Sequence, residues 1–287
     1  LETLKEQRFH ILDEVKTVNI GNEMAITLSI GVGLNASTYI QNYEYSRIAI
    51  EMALGRGGDQ VVIKNGNNIT YYGGKTQQME KNTRVKARVK AQALKEFMST
   101  KDRVVVMGHK ITDVDALGAA IGIYRAGKTL GKSVSIVVND PTKSIRPLIA
   151  GYVNNPDYEQ SMFVDSSQAK DMVDNNTVVV VVDTNRPSYT ECEELLHMTK
   201  TIVVLDHHRR GSEVIENAVL SYVEPYASSA CEMVSEILQY FSDDLRIRNM
   251  EADCLYAGIM IDTNNFTTRA GVRTFEAAAF LRRSGAD

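Results

Sequence analysis

Four short apolar runs in this sequence are each followed by side chains of the kind that bind metal ions. The runs and the residues after them are 104–107 with His109, Asp113 and Asp115, 178–182 with Asp183, 202–205 with Asp206, His207 and His208, and 258–261 with Asp262. Carboxylates that lie close together repel one another unless a cation neutralises them. Imidazole together with carboxylate suits manganese, iron or zinc, and the excess of carboxylates without cysteine ligands favours manganese. The residue types therefore predict a metal site.

Each of these residues also has a simpler interpretation. A single aspartate after a strand is more often a turn residue or the N-cap of a helix. His109 alone would more often be a packed or solvent-facing histidine. The repetition of one arrangement at four places favours a metal site over four unrelated turns.

The apolar runs also indicate the elements that position these side chains. Continuous valine-rich runs, such as residues 104–106 and 178–182, are typical of parallel strands covered by helices on both faces. All four runs are therefore predicted as strands of an α/β fold, with a helix over residues 116–130 after the first. In open α/β sheets the binding cleft lies at the carboxyl ends of the strands. Further predicted elements are a strand at 133–138, a helix at 187–198, and a helix that runs through Met233 to Phe241. The segment 225–229 starts this last helix, and its serines are interpreted as N-caps.

The order of these residues resembles the four motifs of the DHH phosphoesterase superfamily. The resemblance covers residues 101–287 and lies in His109-x-x-x-Asp113-x-Asp115, Asp183, Asp206-His207-His208 and Asp262. It implies two divalent ions, with Mn²⁺ preferred, that share a hydroxide and promote its in-line attack at phosphorus. The implied ligands are His109 and Asp113 for one ion, Asp115, His207 and Asp262 for the other, and Asp183 as the bridge. It further implies that Asp206 orients an imidazole and that His208 faces the substrate phosphate or the leaving oxygen.

Residues 1–78 resemble the C-terminal half of a GGDEF domain in degenerate form, a small α+β unit. The predicted elements are a helix over 1–18, a strand over 25–33, a helix over 43–54, and a hairpin of 60–64 with 69–72. The triplet Gly57-Gly58-Asp59 follows a predicted helix and is succeeded by Gln60 where the signature has glutamate. It is interpreted as a helix stop. The hypothesis for this region is a regulatory or structural role, without synthesis of a cyclic dinucleotide.

A helix over residues 79–98 is predicted to connect this region to the DHH domain, which gives domain boundaries of 1–78, 79–100 and 101–287. The helix is rich in lysine and arginine, and Val85, Val89 and Leu94 are predicted to lie on its apolar side. The basic residues are interpreted as a solvated surface, because no aromatic residues are interleaved for base stacking. A nucleic-acid patch is the alternative. Four polar residues after Asp262 have two interpretations. They could face a substrate phosphate, or they could be turn residues and surface charges: Asn264, Asn265, Arg269 and Arg273.

The GGDEF-like half, the connecting helix and the DHH domain together resemble the membrane-anchored cyclic-di-AMP phosphodiesterases of Gram-positive bacteria. This resemblance implies hydrolysis of cyclic-di-AMP to linear pApA, cytoplasmic domains, a membrane anchor in helices absent from this chain, and a homodimer in the full-length parent. The chain is expected to be a fragment that binds nucleotide poorly, because such proteins grip the nucleotide with a C-terminal DHH-associated domain. The alternatives are an oligoribonuclease or pyrophosphatase of the same superfamily, and a non-catalytic nucleotide sensor.

The amino-acid composition limits which classes of protein this chain can belong to. The chain has 287 residues, of which 44% are hydrophobic and 24% charged, and its formal net charge is −4. Such values are typical of a soluble globular protein with more than one domain, and the mild acidity argues against an extended nucleic-acid surface. The 3 cysteines have neither metal-type spacing nor an even count, which indicates reduced thiols. No apolar run approaches the roughly 20 residues of a membrane helix.

Overall fold

The computed structural model describes residues 1–18, 26–56, 58–73, 76–211 and 213–287, with the side chains of residues 55 and 76–84 outside the description. The chain forms two compact units: Leu1–Lys81 with Thr267–Gly271, and Asn82–Phe266 with Val272–Asp287. Among the helices that are described, none is long and apolar enough to cross a membrane.

The first unit is a three-stranded sheet with one long helix packed on it. Its elements are α1 (Glu2–Glu6), α2 (Ile11–Lys16), β1 (Ile30–Leu34), α3 (Tyr39–Gly55), β2 (Gln60–Asn65) and β3 (Asn68–Gly73). Strand β2 is central, parallel to β1 and antiparallel to β3. Its side chains alternate between two faces, so that Val61 and Ile63 pack with Phe9 and Leu12 while Val62 packs under α3. The predicted hairpin is confirmed.

Two predictions for this unit are wrong in their boundaries. Residues 1–18 form two short helices rather than one, because Arg8 and Phe9 adopt left-handed φ values of 51° and 54°. The turn places Phe9 in the core, with its ring centroid 4.9 Å from that of Tyr72. Strand β1 begins at Ile30 rather than at residue 25, because the first pair of the ladder joins Ile30 to Val61. Residue 25, the first of the predicted strand, and residues 19–24 before it lie outside the described residues.

The glycine-rich triplet follows α3, as predicted. Gly58 has a φ of 72°, and its N–H donates to the carbonyl of Ala53 at 2.9 Å, five residues earlier. A left-handed residue that returns a hydrogen bond to the last turn is a usual way for a helix to end. Gly57 lies outside the described residues.

The second unit is built on a six-stranded, all-parallel sheet in the order β6-β5-β4-β7-β8-β9. Its strands are β4 (Arg103–Met107), β5 (Ser133–Val137), β6 (Phe163–Val164), β7 (Thr177–Val182), β8 (Thr201–Asp206) and β9 (Leu220–Val223). Its helices are α4 (Thr76–Ser99), which begins in the first unit, α5 (Val114–Thr129), α6 (Arg146–Val153), α7 (Ser166–Met172), α8 (Ala230–Phe241), α9 (Asn249–Asp262) and α10 (Val272–Arg283).

Both faces of this sheet are buried, which explains the unbroken valine runs. Val104 and Val106 belong to the larger core, which includes side chains of α5, α8 and α9, whereas Val105 and Met107 belong to a second core on the other face. The α/β fold class predicted from the sequence is confirmed.

Three predictions for the second unit are corrected by the structure. Residues 258–261 end helix α9 rather than forming a strand, since a short apolar run does not distinguish a buried helix from a strand. Residues 187–198 form two short 3₁₀ helices, Pro187–Tyr189 and Glu193–His197, rather than one α-helix. Between them Thr190 forms an antiparallel bridge with His109, which interrupts the helical path.

The third correction concerns the apolar side of α4. Val85 and Val89 are 63% and 59% exposed. The buried side is formed by residues at helical spacing, namely Ala87, Ala91, Leu94 and Met98. Small alanines let the helix approach the domain closely, and the larger valines lie outside the contact. Leu94 was therefore placed correctly and the two valines were not.

Candidate metal centre

The predicted ligands lie after the carboxyl ends of three neighbouring strands, at the start of helix α5 and at the end of helix α9. His109 follows β4, Asp183 follows β7, and Asp206 is the last residue of β8 with His207 directly after it. Asp113 is the N-cap of α5, where its side chain accepts a hydrogen bond from Ala116 N at 3.0 Å. Asp115 lies in the first turn of the same helix, and Asp262 is the final residue of α9. The N-cap interpretation and the ligand interpretation of Asp113 are therefore compatible.

These side chains form two sets that share Asp183. In the first set, His109 Nε2 lies 3.6 Å from Asp113 Oδ2 and 3.4 Å from Asp183 Oδ2. In the second, His207 Nε2 lies 3.8 Å from Asp115 Oδ2 and 3.5 Å from Asp262 Oδ2. The potential ligand atoms lie within 4.8 Å of one another in each of three overlapping groups: His109 with Asp113 and Asp183, Asp115 with His207 and Asp262, and Asp183 with His207 and His208. The structure thus brings all six predicted ligands together, while their binding of ions stays a prediction.

Asp183 is held in an unusual backbone conformation. Its φ is 59°, a left-handed value that costs a residue with a side chain about 1–3 kcal/mol. The main chain is fixed there because Asp183 N donates to Leu205 O at 2.9 Å. Oδ1 of its carboxylate is buried without a hydrogen-bond partner among the described groups, and the nearest ring nitrogen is His207 Nε2 at 3.2 Å. Since buried polar atoms are normally satisfied, this oxygen fits a ligand position for a cation.

The electrostatics of the cluster reflect crowded negative charge. Burial, followed by the charges of Asp183 and Asp262, raises the pKa of Asp115 to about 8. Burial also raises the pKa of Asp262 to about 6. Burial opposes the charged form of His109, yet the nearby Asp113 and Asp183 raise its pKa to about 10. The carboxylates therefore attract positive charge into the site, which divalent cations supply more strongly than protonated imidazoles do.

Asp115 is anchored by the main chain at the start of α8. Its Oδ2 accepts a hydrogen bond from Ala230 N at 2.7 Å, and its Oδ1 accepts one from Cys231 N at 2.8 Å. A helix N-terminus carries unsatisfied N–H groups and partial positive charge, which favour a carboxylate there. Ser229 caps this helix by accepting from Glu232 N at 3.0 Å, so the predicted capping role of a serine is confirmed. No residue pattern indicates the contact with Asp115, because backbone N–H donors are independent of residue type.

Asp206 and His208 form a pair beside the two ligand sets. Asp206 is fully buried, and its Oδ1 lies 2.8 Å from His208 Nδ1. Its other oxygen accepts from the amide of Asn185. The hydrogen bond that the His208 ring donates to the Asp206 carboxylate raises the pKa of His208. Because Nδ1 is engaged in this contact, Nε2 is the ring nitrogen left to exchange a proton with a ligand.

The cluster opens into a cavity of about 530 Å³. Its lining residues are His109, Asp113, Asp183, Thr184, Asn185, Arg186, Tyr189, His207, His208, Arg209 and Asp262. Four of these residues, which lie just after two of the motifs, were not among the predicted site residues: Asn185, Arg186, Tyr189 and Arg209. The phosphate role considered for Arg273 is wrong, because this side chain donates to Glu236 at 2.9 and 2.5 Å. Asn264, Asn265 and Arg269 are absent from the lining and have left-handed φ values typical of turns.

Residues 103–259 match the model of the "DHH family, N-terminal domain". The chain belongs to the DHH family. Residues 1–71 match a second model, "Cyclic-di-AMP phosphodiesterase GdpP-like, GGDEF domain". The predicted DHH fold and the GGDEF-like character of the N-terminal region are thereby confirmed.

Relatives of this DHH-family chain match it over its whole length. It is 44% identical over 291 residues to the cyclic-di-AMP phosphodiesterase GdpP of Bacillus subtilis (strain 168), a match that covers 100% of this chain and 44% of that protein. It is 40% identical over 290 residues to the cyclic-di-AMP phosphodiesterase PdeA of Listeria monocytogenes, with the same two coverages of 100% and 44%. The chain thus spans less than half the length of these relatives.

A solved structure shares the fold. An exopolyphosphatase-related protein from Bacteroides fragilis superimposes with a TM-score of 0.57 at 18% sequence identity, covering 69% of this chain and 57% of that one. At this identity the likeness concerns the fold alone.

Proposed function

We propose that this chain carries the catalytic domain of a metal-dependent phosphodiesterase that hydrolyses cyclic-di-AMP to linear pApA. The observation that carries the proposal is the shared Asp183, which joins two sets of ligand-type side chains at one cavity. The choice of substrate is supported by the relatives named as cyclic-di-AMP phosphodiesterases, whose similarity extends through both units of the chain.

The residues of the site fit two divalent ions. His109 and Asp113 would hold one ion, Asp115, His207 and Asp262 would hold the other, and Asp183 would contribute to both. The excess of carboxylates over imidazoles favours Mn²⁺. When bound, two such ions lower the barrier to displacement at phosphorus by stabilising the charge on the attacking and leaving oxygens.

The chain's own residues supply orientation and proton transfer. We assign His208 to contact with the substrate phosphate or the leaving oxygen, since its Nε2 is free of the Asp206 contact and the residue lines the cavity. Asp206 fixes the ring and favours its protonated form, which is the form that donates a proton. Asn185 secures Asp206 in turn. A positioned acid of this kind contributes about 10²–10⁴-fold to a rate.

The remaining predictions about the whole protein are part of the same proposal. The N-terminal unit is regulatory or structural and does not synthesise a cyclic dinucleotide. The domains act in the cytoplasm, the protein is held at the membrane by segments outside this chain, and it functions as a homodimer. Detection of cyclic-di-GMP formed from GTP by the whole protein would overturn the first of these points.

The test of the substrate is a comparison of kcat/KM values in one manganese-containing buffer. The substrates are cyclic-di-AMP, short oligoadenylates and inorganic pyrophosphate, and the whole protein is used so that segments beyond this chain are present. We expect cyclic-di-AMP to give the highest value, with linear pApA as the product. Faster turnover of either competitor would assign the protein to another branch of the superfamily. Binding of cyclic-di-AMP without turnover in the presence of metal would indicate a sensor instead.

A further inference from the structure

The cavity at the metal centre contains the ring of one tyrosine, Tyr189. Besides the proposed metal ligands and His208, its lining includes Arg186, Tyr189 and Arg209. Tyr189 is 52% exposed, and among the described lining residues it has the one phenyl-type ring. An exposed tyrosine in a polar cavity offers a flat apolar face to a ligand.

Tyr189 and Arg186 form a stacked pair. The guanidinium carbon of Arg186 lies 4.1 Å from the centroid of the Tyr189 ring, within the range of a cation–π contact. Stacking of this kind keeps the planar guanidinium close to the ring, so that the pair presents a charged plane beside an aromatic one. Both residues come from the loop after β7, which also carries Asp183.

Glu213 fixes the arginine end of the pair. Its Oε1 accepts a hydrogen bond from Ser188 N at 2.8 Å, and its Oε2 accepts one from the Ser188 hydroxyl at 2.8 Å. The same Oε2 lies 3.8 Å from Arg186 Nη2. The two hydrogen bonds from Ser188 lower the pKa of Glu213, so the carboxylate stays ionised opposite the guanidinium.

Main-chain contacts fix the tyrosine end relative to the metal centre. The carbonyl of Tyr189 accepts a hydrogen bond from Lys110 N at 2.8 Å. The next residue, Thr190, forms an antiparallel bridge with His109. The backbone of Tyr189 is therefore tied to the segment that carries a proposed metal ligand, and the ring stands at a fixed place beside the site.

We propose that Tyr189 and Arg186 form a subsite that binds a nucleobase of the substrate next to the scissile phosphate. Bases stack on aromatic rings and on guanidinium planes, and the Arg186–Tyr189 pair offers both in one contact within the lining. A cavity of about 530 Å³ is of the size that holds small-molecule ligands. This inference rests on the proposed function, since it takes the substrate to be a nucleotide, and it adds the residues that recognise the base.

The test compares two ligands that differ only in the base. Binding of 5′-AMP and of ribose 5-phosphate to the manganese-loaded whole protein is measured by calorimetry for wild type, Tyr189→Ala, Tyr189→Phe and Tyr39→Ala. Tyr39, 94% exposed on α3, is the matched control. We expect Tyr189→Ala to weaken 5′-AMP binding by about tenfold or more, the loss expected for one stacked base. Binding of ribose 5-phosphate and metal content should stay unchanged, and Tyr189→Phe should bind 5′-AMP within about twofold of wild type because the ring is retained.

Two outcomes would overturn the subsite. Equal losses for both ligands in Tyr189→Ala would mean that the residue supports the phosphate or metal site rather than the base. Unchanged 5′-AMP binding would mean that the base lies elsewhere. Hydrolysis of cyclic-di-AMP is measured on the same wild-type sample. If that activity is absent while the 5′-AMP effect of Tyr189→Ala is present, the proposed substrate fails and the base subsite stands.

Discussion

Asp183 Oδ1 lies 3.2 Å from His207 Nε2, across the junction between the neighbouring strands β7 and β8. The other oxygen of the same carboxylate lies 3.4 Å from His109 Nε2, at the end of β4. One side chain therefore spans three adjacent strand ends. The left-handed φ of 59° places it there, and backbone strain at such a position is typical of functional sites.

We predict that Asp183→Asn removes metal from both ligand sets. Asparagine has the same shape and tolerates the left-handed conformation, so the fold is retained while the shared negative charge is lost. The metal content after manganese loading and dialysis should fall from about two ions per chain to less than one, whereas Asp113→Asn should retain about one. Elemental analysis measures both. Asp140→Asn, a change at an exposed position, is the control; if Asp183→Asn retained as much metal as this control, the bridging role would be wrong.

We predict that His208→Ala lowers turnover while leaving metal content intact. His208 Nδ1 lies 2.8 Å from Asp206 Oδ1 and farther, at 3.6 Å, from Asp183 Oδ1. Because its closer partner is Asp206, we expect its removal to affect proton transfer more than ion binding. The loss in kcat should be about 10²–10⁴-fold. Asp206→Asn should also lower kcat through the proton-transfer step, because the His208 ring is then no longer oriented by a carboxylate.

The double variant separates a shared role from two independent ones. If Asp206 acts through His208, Asp206→Asn should add little to the loss already caused by His208→Ala. His197→Gln, at an exposed position, serves as the control for changing a histidine. Full additivity in kcat of the two single losses would contradict the coupling, and depletion of metal in His208→Ala would reassign that residue to ion binding.

Some elements of the fold were predicted correctly from the sequence and others were not, for physical reasons. The valine runs of β4 and β7 were recognised because a parallel sheet buries both faces, which leaves a continuous apolar signature. Residues 258–261 have the same apolar character but belong to α9. Periodicity over so few residues does not separate the two structures. Asp262 nevertheless lies beside His207, because helix α9 ends there, so its ligand role stays a prediction that this error does not affect.

Parts of the site that depend on residue type were predictable from the sequence. Parts that depend on tertiary geometry were not. The histidines and aspartates after the apolar runs, together with the resemblance to the DHH motifs, led to the six proposed ligands, which the structure places close together. The anchoring of Asp115 by the N–H groups of Ala230 and Cys231 leaves no trace in residue type. The Arg186–Tyr189 stack depends on a 3₁₀ turn over residues that were predicted as a longer helix. Tertiary contacts between segments distant in sequence are therefore the part that sequence patterns left out.

Close packing of α9 behind the metal centre gives a third prediction. A Cβ at Gly258 would lie 2.4 Å from Cys231 Sγ and 3.1 Å from Asp115 Cα. Alanine is intrinsically better than glycine in a helix, so any loss of stability comes from this contact. Gly258→Ala should lower the free energy of unfolding by about 1–3 kcal/mol through overpacking. It should also weaken binding of the ion proposed to lie between Asp115, His207 and Asp262, because Asp262 lies on the displaced helix.

A second substitution and a matched glycine test this explanation. Cys231→Ala in the Gly258→Ala background removes the nearest atom and should recover part of both losses. Gly151→Ala in α6 meets the flexible end of Met250 at 3.0 Å and should cost little. Chemical denaturation and metal titration measure the effects. Normal metal affinity in Gly258→Ala would show that α9 is not displaced.

The buried pair of Arg273 and Glu236 gives the last prediction. Arg273 donates to the two carboxylate oxygens at 2.9 and 2.5 Å, and the side chains are only 13% and 8% exposed. Replacing Glu236 by glutamine leaves a buried guanidinium without this partner, and losses of about 3–5 kcal/mol are typical of such changes. The exposed pair of Arg248 and Asp157, 3.7 Å apart, is the matched control, for which Asp157→Asn should cost about 0–1 kcal/mol. Urea denaturation of both variants measures the change in the free energy of unfolding. A decrease for Glu236→Gln no larger than that for Asp157→Asn would show that Glu232, 3.8 Å away, compensates the charge of Arg273.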